Sequence, residues 1–345
     1  MKSAALRVGI VGYGYMGEIR RRVIEDIPQL ELSGIFDTNS AVRKRINGCC
    51  VFDSFDALIN ENVDMVFVCT PNLYSPRICM DSMNKGKHVF CEKPPGRSLE
   101  DIQNIIKVEK DNPGVKLMFG FNHRFHPGIM RAKAVAESGR LGNILNIRGL
   151  YGKSGGVNFR SSWRNNKKIS GGGILIDQGI HMLDLFRYFC GDFESVKCFI
   201  SNNFWEFETE ENAYVILANR KGQNGFFHSS ATMWKHTFRV DLTLENGYMV
   251  VEGLLSKTGS YGREKIIVGK RQFEDEAEAV GNPSEEVTYF DRDLSWDLEV
   301  QEFIRCIDEN IPVTKSSSED AFKVMEIIDK AYKNAALECG EGPKQ

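Results

Sequence analysis

Residues 8–18 read VGIVGYGYMGE. An apolar run, Leu6–Val11, leads into Gly12, Gly14 and Gly17, spaced G-x-G-x-x-G, and a helix-like stretch, Tyr15–Ile27, follows until Pro28. The first glycine permits a tight turn, the second lets a pyrophosphate approach the backbone, and the third lets helix and strand pack closely. The helix start adds N–H donors and partial positive charge, which suit a phosphate. The spacing alone is a weak signal; a strand before it and a helix after it make it a dinucleotide fingerprint. Tyr13, Tyr15 and Met16 occupy the intervening positions and are expected to border the same ligand. Asp37, followed by Thr38, ends a second apolar run, Leu30–Phe36, twenty residues beyond Gly17. A carboxylate there suits the ribose diol of NAD and repels a 2′-phosphate, so NAD rather than NADP is the expected cofactor.

Outward from this unit, short apolar runs keep alternating with helix-like stretches: Ala41–Ile46, Phe55–Ile59, Asp64–Cys69, Pro76–Asn84, His88–Cys91, Leu99–Lys110 and Val115–Phe119. Strands alternating with helices imply a parallel, doubly wound sheet, whose ligands bind at the carboxyl ends of its strands. Two such ends carry unusual chemistry. Residues 66–72 read VFVCTPN, and residues 88–98 read HVFCEKPPGRS. Prolines cannot donate to a sheet ladder, so the second strand must stop at Pro94. A solvated turn would explain the prolines but give Lys93 no task; a rigid tip holding a lysine at the mouth of a site explains both. Cys69, Thr70, Pro71, Asn72, Glu92 and Lys93 are therefore expected to face the same crevice as the glycine loop.

After about residue 123 the texture changes. One helix, Pro127–Glu137, precedes strand-like alternation at Ile144–Tyr151, Ser195–Asn203, Ala213–Asn219, Gly225–Met233, Phe238–Leu244 and Tyr248–Val251, with a hairpin signal at Asn246-Gly247. Two helices, about Asp297–Glu309 and Ser318–Leu337, close the chain. The expected organisation is a dinucleotide-binding Rossmann domain, residues 1–123, and a substrate-binding and oligomerisation domain, residues 124–345. The second is an α/β domain with a mostly antiparallel sheet and C-terminal helices. Such a sheet must bury its second apolar face, so a homodimer or homotetramer formed through it is expected.

Composition bounds the rest. Of 345 residues, 42% are apolar and 26% charged, with net charge −3, an ordinary soluble mix without the basic excess that nucleic acid demands. Nine cysteines form no C-x-x-C pair and mostly sit in apolar runs, as small buried hydrophobes of a reducing compartment. No signal-peptide core and no membrane-length apolar run are present, so a cytoplasmic protein is expected. The acidic segment Phe273–Glu278 reads as a solvated loop.

Taken in order, GYGYMG, TPN, CEKP, GFNHRFHP and GGGILIDQGIHMLDL resemble the Gfo/Idh/MocA family of oxidoreductases over nearly the whole chain. The resemblance implies a Rossmann domain, then an α/β domain with a large open antiparallel sheet, and NAD(P)-dependent oxidation or reduction of sugars, polyols or their derivatives. It implies that Lys93 is the catalytic lysine, that Glu92 lies on the nicotinamide side, and that the Lys93–Pro94 bond is often cis. Two positions depart from the pattern: Ser75 stands where members often carry histidine, and Pro95 where an apolar residue is usual.

Asp177 and His181, in GGGILIDQGIHMLDL, are four residues apart and would share one helix face. The three glycines before them would allow a ligand close to the helix start. Removing a hydroxyl proton needs a base with pKa near neutrality; a lysine, at about 10.4 when free, requires desolvation or a neighbouring cation. His181 protonated would be such a cation, and the resemblance gives both positions to substrate contact and proton relay. Asp184 reads as structural. In FRSSWRNNKK, residues 159–168, Arg160, Trp163 and Arg164 would line the substrate site, and Asn122 would join them at the domain junction. Trp234, Lys235 and His236 would reach substrate or a neighbouring subunit. No metal-ligand spacing is evident. The expected function is hydride transfer between NAD and a secondary alcohol or ketone of a sugar, polyol or nucleotide-sugar. The alternatives are retained NAD used transiently in an elimination or epimerisation, and a non-catalytic sensor of cofactor or sugar.

Overall fold

The first apolar run becomes β1, Leu6–Val11, at the centre of a six-stranded sheet. Its partners are β2 Leu30–Phe36, β3 Cys50–Val51, β4 Met65–Val68, β5 His88–Cys91 and β6 Leu117–Phe119. Their order is β3-β2-β1-β4-β5-β6, and every pairing is parallel. The order reverses between β1 and β4, and that is where a doubly wound sheet opens a crevice outside its strand ends. The connecting helices are α1 Tyr15–Asp26, α2 Ser40–Arg43, α3 Phe55–Asn60, α4 Ser75–Asn84 and α5 Leu99–Asp111. Polar side chains start three of them: Asn39 accepts from the Ala41 amide at 2.9 Å, Ser54 from Ala57 at 3.0 Å and Ser98 from Asp101 at 3.3 Å. All four residues of β4 are buried, as a strand covered on both faces requires. This coordinate set is a computed structural model, and it describes residues 5–155, 159–272 and 281–338. The Phe273–Glu278 segment lies outside the described residues.

The second sheet has eight strands: β7 Ile144–Gly152, β8 Ser195–Ser201, β9 Asn212–Ala218, β10 Asn224–Ser230, β11 Thr237–Leu244, β12 Gly247–Glu252, β13 Glu264–Lys270 and β14 Glu285–Phe290. They run in the order β14-β13-β12-β11-β7-β10-β9-β8, antiparallel except for the central β7–β10 pair. Helix α6, Pro127–Glu137, packs on β12 and β13, and α8, Ile180–Cys190, packs on β7. Gly149 in β7 lets α8 approach closely, with the Met182 side chain in the space a Cβ would take. The opposite face is open: Phe199 faces Tyr214 and Ile216 faces Phe226 across β8, β9 and β10, and all four are exposed. Strands β13 and β14 add to the six read from the sequence.

One short turn, α7 Lys167–Ser170, and two C-terminal helices, α9 Ser295–Asp308 and α10 Ser318–Glu338, complete the chain. Contacts divide it into two units that do not follow its linear order. The first holds the parallel sheet, residues 168–171 and residues 296–325; the second holds 122–167, 172–295 and the end of α10. Helix α9 thus belongs with the parallel sheet, and the reason is a fully buried charge. The Arg20 guanidinium pairs with Glu92 at 2.6 Å and with Glu299 of α9 at 2.7 Å, between the rings of Phe90 and Trp296. Buried charge is tolerated when it is paired. The strap 168–171 is tied on by backbone and amide bonds: Asn72 donates to the Ser170 carbonyl at 2.7 Å, and Leu73 N–H to Ile169 at 3.1 Å. Among the described residues, no helix is long and apolar enough to cross a membrane.

Candidate active-site elements

At the carboxyl end of β1 the chain turns through Gly12 at φ +91°. A side chain there would be strained, and its Cβ would lie 2.6 Å from the Cys69 carbonyl oxygen. A Cβ at Gly17 would run into the Gly12 carbonyl, so Gly17 is the close-packing glycine of α1 against β1. Gly14 is different: nothing lies within 4 Å of where its Cβ would be. The backbone at Gly14 is open to a ligand, and α1 starts there with no side-chain cap on its first amides. Tyr15 and Met16 open this helix, with Tyr15 exposed. These are the parts a pyrophosphate needs.

Asp37 follows β2 and is fixed against this loop. One carboxylate oxygen accepts from Tyr13 N–H at 2.7 Å, the other from Asn39 N–H at 2.7 Å. Arg43 turns back onto the carbonyls of Asp37 and Thr38, at 2.6 and 3.1 Å. The carboxylate therefore sits beside the glycine turn, and Asn39 rather than Asp37 caps α2.

At the neighbouring strand ends, several expected ligand contacts are already spent on the protein. Thr70 Oγ1 pairs with Ser75 Oγ at 3.1 Å, and Ser75 also donates to the Thr70 carbonyl at 3.2 Å. The Asn72 amide, buried, donates one N–H to the Ser170 carbonyl and so holds the strap. Glu92, also buried, is paired with Arg20 at 2.6 Å, which ties the end of β5 to α1. Cys69 packs its carbonyl against Gly12, and Pro71 accepts the Tyr74 amide. Lys93 is half-buried at the tip of β5, and the Lys93–Pro94 bond is cis.

In the second unit, Asp177 lies in a π-helical turn, Leu175–Gly179, and His181 is the second residue of α8. A π turn closes i to i+5, so the four-residue spacing does not carry the simple one-face geometry expected from the sequence. Asp177 is instead clamped from two distant segments: Lys153 Nζ binds one carboxylate oxygen at 2.9 Å and Arg164 Nε the other at 3.1 Å. The glycines before the turn do not leave room for a ligand either. A Cβ on Gly171 would meet the Arg97 backbone, one on Gly172 the Tyr332 hydroxyl, and one on Gly173 the Glu210 backbone. The chain itself fills that space. Glu210 holds the turn in place, accepting from Gly173 N–H at 2.9 Å, Leu175 N–H at 3.0 Å and Tyr332 at 2.9 Å. Burial pushes its carboxyl above the ordinary range, against those bonds.

His181 is buried and stacks on His123, with centroids 3.7 Å apart and planes 19° apart. Asn122 Oδ1 accepts from His123 Nδ1 at 3.1 Å and its amide N–H donates to Ser295 at 3.3 Å, which orients the His123 ring. Tyr151, at the end of β7, lies beside both imidazoles, and burial, Tyr261 and Asp177 raise its phenol well above the ordinary value. Asp184 forms a buried two-bond pair with Arg124, at 2.6 and 2.8 Å, and is structural as expected. Arg164 also lies over Trp163 at 4.6 Å, whereas Arg160 turns to Trp205 at 5.2 Å. The sequence reading missed Lys153, Glu210, Tyr151 and His123. For Lys153 a signal existed: it directly follows an alternating strand, where a side chain is presented at the sheet end.

Comparison with known proteins agrees with this architecture. A model described as the oxidoreductase family, NAD-binding Rossmann fold, matches residues 6–121, and the GFO/IDH/MocA C-terminal domain matches residues 129–250. Levoglucosan dehydrogenase of Pseudarthrobacter phenanthrenivorans is 28% identical over 242 residues, 64% of this chain and 60% of that protein. Glucose-6-phosphate 3-dehydrogenase of Bacillus subtilis is 31% identical over 221 residues, 61% of each. These alignments thus take in less than two thirds of either relative. A solved levoglucosan dehydrogenase in complex with NADH and levoglucosan superposes with a TM-score of 0.84 at 22% identity, covering 97% of this chain and 98% of that one.

Proposed function

The chain belongs to the Gfo/Idh/MocA oxidoreductases, and from that premise we propose that it is an NAD-dependent dehydrogenase or reductase of a sugar, polyol or sugar derivative. The observation that carries the reading is the open backbone at Gly14 beside a carboxylate, Asp37, that is bonded to the Tyr13 amide. Gly12, Gly14, Gly17 and the start of α1 would hold the pyrophosphate, and Asp37 the adenosine ribose. NAD, when bound, supplies the hydride acceptor or donor.

The protein's own work is binding, orientation and proton management. Lys93 holds the hydroxyl proton of the reacting carbon at Nζ, and Pro94 and Pro95 limit where that amine can move. Asp177, steadied by Lys153 and Arg164, accepts hydrogen bonds from substrate hydroxyls. His181, fixed by its stack on His123, is the second group proposed to carry a proton. Because Arg164 is paired with Asp177 and Arg160 lies over Trp205, the basic loop offers less to an anionic substrate than its composition implies. The exposed face of the eight-stranded sheet is assigned to self-association as a homodimer or homotetramer, since paired rows of Phe199, Tyr214, Ile216 and Phe226 would otherwise stay in water.

The test is a panel of free sugars, polyols, sugar phosphates and nucleotide-sugars, each incubated with NAD and with NADP while reduced cofactor is followed by absorbance. The expected result is NADH formation with a subset of the panel. Conversion without NADH accumulation would replace this reading with retained-cofactor chemistry, and no conversion of any carbohydrate would reject it.

A further inference from the structure

We propose that the Asp177 unit carries a second-ring subsite: an aromatic wall made by Trp234 and Phe204 and backed by the half-buried Trp205, which takes the aglycone or second sugar ring of a glycoside. The inference rests on the carbohydrate reading given above and narrows its substrate class.

The wall is exposed and yet built. Trp234 is 60% exposed and Phe204 53%, with their rings 4.9 Å apart, and Phe204 meets Trp205 at 5.1 Å. Large aromatics this exposed cost free energy unless something covers them. A loop left to collapse would bury them, but this one is held open. Glu211 gathers three successive amides, those of Asn203, Phe204 and Trp205, at 2.7, 2.9 and 2.7 Å. The Trp205 indole N–H is fixed to the Ala231 carbonyl at 2.9 Å. Glu206, next in the chain, is held at φ +56°, a conformation rare for a residue with a side chain. A strained, multiply bonded loop that presents rings to solvent resembles a preformed ligand surface.

The wall is also connected to Asp177. Asp177 and Glu211, the residue that gathers the loop amides, both line one small cavity of about 10 Å³, together with Phe159, Arg164, Phe207 and Ala231. From the other side, Met233 N–H donates to the carbonyl of Lys153 at 3.1 Å, so Trp234 directly follows a residue tied to the one that clamps Asp177. Both β7 and β10, the parallel pair, deliver their carboxyl ends here.

The charges argue for a neutral ring over a nucleoside diphosphate. Lys153 and Arg164 are committed to Asp177, and Arg160 lies over Trp205 on a loop that also carries Glu206 and Glu208. A diphosphate needs basic groups aimed at it. The C–H face of a pyranose or an aryl aglycone needs flat aromatic surface with polar groups at its edge, and this is what the loop offers.

The test compares methyl and p-nitrophenyl glycosides of gluco and galacto configuration, both anomers, on the full chain with NAD, for the wild type, Trp234→Ala and Phe204→Ala. Binding is read by calorimetry and turnover by NADH formation. The proposal expects the wild type to bind the aryl glycoside at least ten-fold more tightly than its methyl counterpart. Either substitution should erase most of that preference and leave methyl-glycoside binding and turnover unchanged. Equal affinity for both glycosides in the wild type, an unchanged preference in the variants, or a change of oligomeric state on substitution would overturn it. Because binding is measured without turnover, a protein that binds aryl glycosides but never reduces NAD would reject the dehydrogenase reading and keep the subsite.

Discussion

The two units reach their chemistry by opposite means. In the parallel-sheet unit, what is offered to a ligand is mostly backbone: the Gly12–Gly14 turn and the first amides of α1. Among the side chains nearby, Glu92 is paired with Arg20 and Asn72 with Ser170, while Asp37, bonded to the Tyr13 amide, is the one proposed to meet the ribose. In the antiparallel-sheet unit, the groups proposed to act are side chains, Asp177 and His181, each oriented by residues far away in the chain. A cofactor common to many reactions suits a backbone cradle, whereas substrate choice rests on side chains that can be exchanged.

The contrast breaks most severely at Arg20. Arg20→Met leaves Glu92 and Glu299 buried without their cation, and breaking such a pair costs about 3–5 kcal/mol. Denaturant unfolding should show that loss; an unchanged midpoint would mean Glu92 is free for another role. Next comes Lys93→Ala, which should lower kcat by between about 10² and 10⁴-fold, the usual worth of a positioned proton carrier, with NADH affinity retained. Near-normal turnover would remove Lys93 from the mechanism. A smaller effect is expected for Asp37→Ala. Hydrogen bonds to charged groups are worth about 1.5–3 kcal/mol, so NADH affinity should fall roughly ten-fold while NADPH affinity holds or rises. A fluorescence titration of both cofactors checks this, and parallel losses would show that Asp37 only braces the loop.

How much was legible follows the same divide. The glycine turn, the strand alternation and Asp37 could be read because their logic is local: spacing, periodicity and a strand end. Glu92 could be seen as an anomaly but not explained, because its partner Arg20 stands 72 residues away. Asp177 and Arg164 stand out in the sequence, but the pairing of Asp177 with Lys153 does not, because Lys153 is 24 residues off, just past the end of β7. The glycines before it read as room for a ligand, whereas Tyr332 and Glu210 occupy the space beside Gly172 and Gly173. The π turn escaped because no spacing rule announces it. Strand β14 escaped because it is an edge strand, mostly exposed, with no apolar face to alternate.

The division of labour is tested most directly by Asp177→Asn, with NADH affinity and kcat/KM measured on the same preparation. The substitution keeps the shape and removes the charge that Lys153 and Arg164 hold. The account predicts unchanged NADH binding and a fall in kcat/KM of about 10²-fold, the scale of a substrate held out of position. A matching loss of NADH affinity, or a kcat/KM within two-fold of about the wild-type value, would contradict it.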